Sequence, residues 1–265
     1  MAKAQRQAVP VKPQSDKKIV TKKSTSQHAA PESVAGVMQE LEALGSESIR
    51  KVLRKHGAQD PFFGVRIGDM KPIVKRIKAN YQLALDLYNT GNYDAMYLAG
   101  LIADDARMTR KDLNKWAKNA QIAHCSSTVP WVASGSPMGM DMAREWIDSK
   151  DDKIAAIGWS TWCSLLALIP NEELDLSELK KLLDRVQKTL QQSPDNVRYA
   201  MNMFVISVAI YVGELRPAAI AAAKKIGTVE VDMGDTSCQV PYAPDYIERA
   251  RERGVFDKKR KTVKC

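Results

Sequence analysis

Asp141 and Glu145 stand four residues apart in the run GMDMAREWID, so one helical turn sets both carboxylates on a common face. Paired carboxylates in that relation are what acid–base or electrostatic catalysis requires, and solvated acids on a helix face are the alternative. The surrounding stretch, His124 to Leu168, holds Trp131, Trp146, Trp159 and Trp162, together with Cys125 and Cys163. Trp159 and Trp162 are three apart and share a helix face, which suits either a core or a platform for a planar ring. His124 and Cys125 are adjacent and point in different directions on a helix, a poor geometry for a thiol and its base. A second chemistry is cationic. Lys71 and Lys75 line one helical stripe beside Arg66 and Arg76, a spacing that can reach successive phosphates. Arg198 and Asn202 form another i, i+4 polar pair on an apolar helix, and Lys224-Lys225 could meet the same polyanion. The four cysteines have no metal-ligand spacing and there is no glycine-rich phosphate loop, so no metal or cofactor is implied.

These residues need helices to position them, and the pattern predicts little else. Val34, Val37, Met38, Leu41 and Leu44, then Ile49, Val52 and Leu53, recur at helical spacing and predict one helix stopped by Gly57. Asp69 is placed to cap a helix with Ile73, Val74 and Ile77 on one face. Further helices are expected over 81–89, 93–103, 110–118, 177–191, 195–212, 216–225 and 245–253. Ser134 to Pro137 forms a corner between two more. Val229 to Asp232 alternates like a strand but is too short to build a sheet. The fold class is therefore all-α, and helix pairs every ~35–45 residues predict a HEAT- or armadillo-like solenoid, with a compact bundle as the alternative.

Residues 1–30 are basic and poor in large apolar groups and read as a disordered arm, 31–254 as the helical domain, and 255–265 as a basic tail. Seven Lys/Arg face one acid in residues 1–28, and eight face two in 249–265, so the ends supply more than the whole net charge of +9. Both ends are expected to act as nonspecific tethers that leave stability unaffected. No apolar run is long enough to span a bilayer and no secretory signal is present, so a reducing cytoplasm is the expected compartment.

At Phe62–Ile77, FFGVRIGDMKPIVKRI, the sequence resembles the AlkD-like DNA alkylation repair family, which has an aromatic-Gly-Val-Arg corner leading into a basic helix. Helix order resembles that family over about residues 35 to 228. The resemblance implies a HEAT-like superhelix with a concave face for duplex DNA, and active members are glycosylases that release cationic alkylated purines. The family's Trp-Asp-x-Val-Asp run falls on Ser126-Ser127-Thr128-Val129-Pro130, which puts Pro130 where the catalytic carboxylate belongs. The family's arginine is missing from the helix reading Lys153-Ile154-Ala155-Ala156-Ile157. Two expectations follow. The chain is either a glycosylase using a relocated acid, Asp141 or Glu145, or a noncatalytic DNA-structure binder or protein-interaction solenoid. DNA contacts are assigned to Arg66, Lys71, Lys75, Arg76, Trp131, Trp159, Trp162, Arg198, Asn202, Lys224 and Lys225. The expected partner is double-stranded DNA, damaged or branched forms included, bound by a monomer in the cytoplasm among the nucleoid.

Overall fold

The computed structural model describes residues 32–264, and among these every regular element is helical. The expected N-terminal helix is two, α1 (Val34–Leu44) and α2 (Glu47–Lys55). The break falls at Gly45, where a Cβ would lie 2.5 Å from the Phe63 carbonyl oxygen, so the chain turns where only glycine fits. Next comes α3 (Ile67–Ile77), which begins earlier than expected, with Arg66 at the N-cap and Asp69 inside its first turn. Then follow α4 (Tyr81–Asn89), α5 (Tyr93–Ile102), α6 (Arg110–Asn119), α7 (Thr128–Gly135), α8 (Gly139–Trp146) and α9 (Asp152–Leu168). The chain continues through α10 (Leu176–Thr189), α11 (Asp195–Tyr211), α12 (Arg216–Ile226) and α13 (Ala243–Glu252). Val229 to Asp232 is coil.

The caps explain several of these starts. Thr109 and Asp112 satisfy each other's backbone amides in a capping box that opens α6. The Asp151 carboxylate accepts from the amides of Lys153 and Ile154 and opens α9.

Helices pack as two layers. The odd-numbered helices from α3 to α13 follow one another side by side, and α9 against α11 is the most extensive of these contacts. The even-numbered helices back them and are laced by polar rungs. The Tyr88 hydroxyl donates to the Trp116 carbonyl at 2.9 Å, the Trp146 indole donates to Asn114 at 2.8 Å, and Arg144 binds Glu178 in a two-pronged pair. Two apolar clusters fill the space between the layers, one from α1 to α8 and one from α8 to α13, and they meet at α8 and α9. Trp159 and Trp162 lie in the second, fully buried. Truncating either to alanine removes a contact of about 3–5 kcal/mol.

His124 is buried against Tyr93, ring centroids 4.6 Å apart, and burial pushes its imidazole down to about 4. The unfolded chain takes up that proton near 6.5, while the folded chain stays neutral until about 4. The unfolded state binds more protons in this window, so stability is lost as pH falls through it, by up to about 3 kcal/mol from this group. In a urea-unfolding pH series, His124→Phe should flatten that part of the profile. An unchanged slope would place the acid sensitivity on other groups.

Candidate functional site

The clefts open on the odd-numbered layer. On α9, Ser160, Cys163, Ser164 and Ala167 form a stripe at helical spacing, opposite the face that carries Trp159 and Trp162 into the core. On α11, Tyr199, Met203, Ser207 and Ile210 form the facing stripe. With Trp131 from α7 they line a cleft of about 380 Å³. Trp131 is nearly buried and meets Tyr97 edge to face at 5.6 Å. Toward the N-terminal ends of α9 and α11, the cleft continues through Ser126, Ser160 and Tyr199 into a second one, also about 380 Å³. There Lys55-His56-Gly57 and the segment 231–236 form the walls.

Two features fix that segment. Arg198 donates to the carbonyls of Ser193 and Glu230, and the Asn202 amide donates to the Pro241 carbonyl at 2.8 Å. Both were expected on DNA. Instead they clamp the crossing from α12 to α13, because α11 turns them toward it.

The other rim is closed by the C-terminal segment, which was expected to be a free tether. Its backbone amides at Asp257 and Arg260 donate to the Ile210 and Ala167 carbonyls, at the C-terminal ends of α11 and α9. The Lys259 ammonium donates to the Leu166 carbonyl at 2.8 Å, and Lys264 reaches the Ala103 carbonyl and the Asp105 carboxylate at 2.7 Å. Helix C-termini present unpaired carbonyls and partial negative charge, which a basic segment satisfies. Residues 1–30, read as an arm, lie outside the described residues.

The remaining predicted residues separate by layer. Asp141 and Glu145 are exposed on α8, in the backing layer. Both are held by Arg110, and Asp141 also faces Arg144 at 3.8 Å. They form a surface ion-pair chain that runs from α6 to α10 and line neither cleft. Trp159 and Trp162 are core and offer no platform. Arg66, Lys71 and Lys75 are exposed on α3. Arg76 differs from them, since Glu32 and Glu40 both bind its guanidinium and raise its pKa. Lys224 and Lys225 are exposed in the last turn of α12, again in the backing layer. Pro130 is buried within α7, Ser126 faces both clefts, and Lys153 donates to the Ala120 carbonyl at 3.4 Å. Burial pushes the Cys125 and Cys163 thiols up to about 12, which leaves neither as a nucleophile. Sequence reasoning missed Ser160, Ser164, Tyr199 and Ser207. Their signal was small polar residues recurring on one stripe of otherwise apolar helices.

Stacked helix pairs in two layers, with clefts on the face of one layer, make this a HEAT-like repeat protein. The chain belongs to the DNA alkylation repair family, described as "DNA alkylation repair enzyme", whose model matches residues 37–246. It is similar to a solved structure described as one of a new family of proteins related to the HEAT-like repeat DNA glycosylases with affinity for branched DNA structures. That likeness has a TM-score of 0.83 at 39% identity and covers 88% of this chain and 100% of the other. It is 34% identical to the protein Lin0241 of Listeria innocua over 81% of this chain and 95% of that protein. It is equally similar, at 34%, to Lmo0209 of Listeria monocytogenes.

Proposed function

We propose that the protein binds DNA on its odd-numbered helix face, prefers branched or distorted structures to intact duplex, and excises no base. Family membership and the 39% identical structure support the DNA-binding part of this reading. The observation that carries the noncatalytic part is the chemistry of the main cleft. Its lining consists of aliphatic side chains, hydroxyls, a thiol, aromatic rings and one arginine, and among the described residues no carboxylate lines it. The adjoining cleft holds Asp232, whose carboxylate accepts from the Gly234 amide. Release of a cationic purine leaves positive charge growing on the sugar, and a preorganised anion beside it is the protein's main contribution. Pro130 supplies none, and Asp141 and Glu145 are bound to arginines in the other layer. The relocated-acid reading therefore has neither of its two acids at the cleft.

Lys71 and Lys75, exposed on α3 and without an ion pair among the described residues, are the proposed phosphate contacts of the N-terminal half, beside Arg66. Each phosphate neutralised contributes about 0.9 to the dependence of log affinity on log salt. Lys71→Ala with Lys75→Ala should weaken binding to every DNA tested and lower that slope by up to about two. The unaltered protein, incubated with duplex bearing 3-methyladenine or 7-methylguanine, should hold the duplex and release no base above the spontaneous rate. Base release that scales with protein would overturn the noncatalytic reading. Unchanged affinity and slope in the folded double variant would overturn the assignment to α3.

A further inference from the structure

A third cleft, about 320 Å³, lies between α13 and the C-terminal segment. Arg249 and Arg253 line it from the α13 side, Lys258 and Arg260 from the C-terminal segment, with Tyr211, Tyr246 and three aliphatic residues, and among the described residues no acid lines it. This is unlike the rest of the surface. Most arginines are bound to carboxylates, and the exceptions among the described residues are Arg66, Arg107, Arg249, Arg253 and Arg260. Three of those five line this one cleft. Of the nearby acids, Glu248 is engaged by Arg251 and Asp257 by Arg216, and Glu252, beside Arg253 on α13, lies outside the lining. The cationic wall is also built rather than loose. The hydrogen bonds from Asp257, Lys259 and Arg260 to the ends of α11 and α9 fix the backbone that carries Lys258 and Arg260.

Beside these charges the Tyr246 ring is 37% exposed, with the Arg249 guanidinium 5.9 Å from its centroid. An exposed aromatic ring among cations without ion pairs suits a ligand that is both flat and anionic. Base stacking on a tyrosine and arginine contacts to phosphate supply those two halves. The volume is at the lower end of small-ligand sites, roughly 300 Å³ and upward, room for one nucleotide and not for a base pair. The cleft also shares Ile210, Tyr211, Tyr246 and Arg260 with the main cleft, so a strand leaving one enters the other.

We propose that this cleft holds one unpaired nucleotide of a DNA strand, its base against Tyr246 and its phosphates on Arg249, Arg253, Lys258 and Arg260. This rests on the DNA-binding reading above and supplies a reason for a preference for branched DNA, since an intact duplex offers no unpaired nucleotide.

The test uses the full chain, an intact labelled duplex and the same duplex with a bulge of unpaired thymidines. Tyr246→Ala should weaken binding to the bulged duplex about tenfold more than to the intact one, with the salt slope unchanged. Tyr246→Phe should restore it. Arg253→Ala with Arg260→Ala should weaken bulge binding and lower the slope by about two. All of these residues are outside the core, and the thermal midpoint checks that each variant is folded. Bulge binding by Tyr246→Ala equal to that of the unaltered protein would overturn the site alone. Failure of the unaltered protein to bind either DNA would overturn the DNA reading with it. Displacement of the bulged duplex by micromolar thymidine monophosphate would assign the cleft to a free nucleotide and overturn the strand assignment.

Discussion

Asp94→Ala should cost about 3–5 kcal/mol of folding stability and lower the thermal midpoint by roughly 8–15 °C. Asp94 lies in the first turn of α5 and is almost fully buried. Its carboxylate accepts from three consecutive amides, Phe63 at 2.6 Å and Gly64 and Val65 at 3.0 Å. Truncation leaves all three donors without an acceptor, two of them in buried surroundings, and leaving a buried donor unpaired costs more than the bond itself contributes. The carboxylate also favours the positive end of the α5 dipole. These three amides belong to the turn that launches α3, so the DNA contacts proposed for Arg66, Lys71 and Lys75 should weaken together in this variant. Asp94→Asn keeps one oxygen acceptor and should lose about half as much. Urea unfolding measures both, and a loss under about 1 kcal/mol in Asp94→Ala would show that the turn holds its own shape.

Deleting residues 256–265 should destabilise the protein by about 3 kcal/mol and lower the midpoint by roughly 6–12 °C. The segment contributes two main-chain hydrogen bonds to helix ends and the Arg216–Asp257 pair at 2.6 Å. It also supplies the Phe256 ring beneath the Arg216 guanidinium, centroid distance 4.1 Å. Lys264–Asp105 is a half-buried pair, and half-buried Val263 packs against both apolar clusters. Exposed ion pairs alone would be worth less than 1 kcal/mol each, so the backbone anchors and the burial carry most of the effect. A midpoint that does not move would show that the segment lies on the body without holding it. Deletion should also remove the Lys258 and Arg260 wall and reduce DNA affinity.

The helices themselves were readable because their ends carry chemistry that acts locally. Thr109 with Asp112, Asp151, and the glycine and proline corners each satisfy or forbid backbone bonds within a few residues. What could not be read was the direction of each face. Spacing puts Asp141 with Glu145, and Arg198 with Asn202, on common stripes, and both pairings are present. Whether a stripe looks into a cleft, at solvent or at a crossing loop depends on the layer, which is set by long-range packing. Arg76 shares the charge and neighbourhood of Lys75, yet only the fold brings Glu32 and Glu40 to it. The basic tail misled for the same reason. Its partners are the carbonyl ends of α5, α9 and α11, far away in sequence and invisible to composition. The expectation at Pro130 rests on the resemblance that places the family's motif over residues 126–130, and what the structure adds is that Pro130 is buried within α7.

Competition between DNA forms tests the proposed function most directly. A labelled four-way junction bound by the full-length protein is titrated with unlabelled intact duplex, matched in nucleotide content and at physiological salt, and followed by anisotropy. A DNA-structure binder retains the junction until the duplex reaches at least about a tenfold excess of nucleotides, a discrimination of about 1.4 kcal/mol. Duplex that displaces the junction nucleotide for nucleotide would contradict it, because charge alone would then account for the binding.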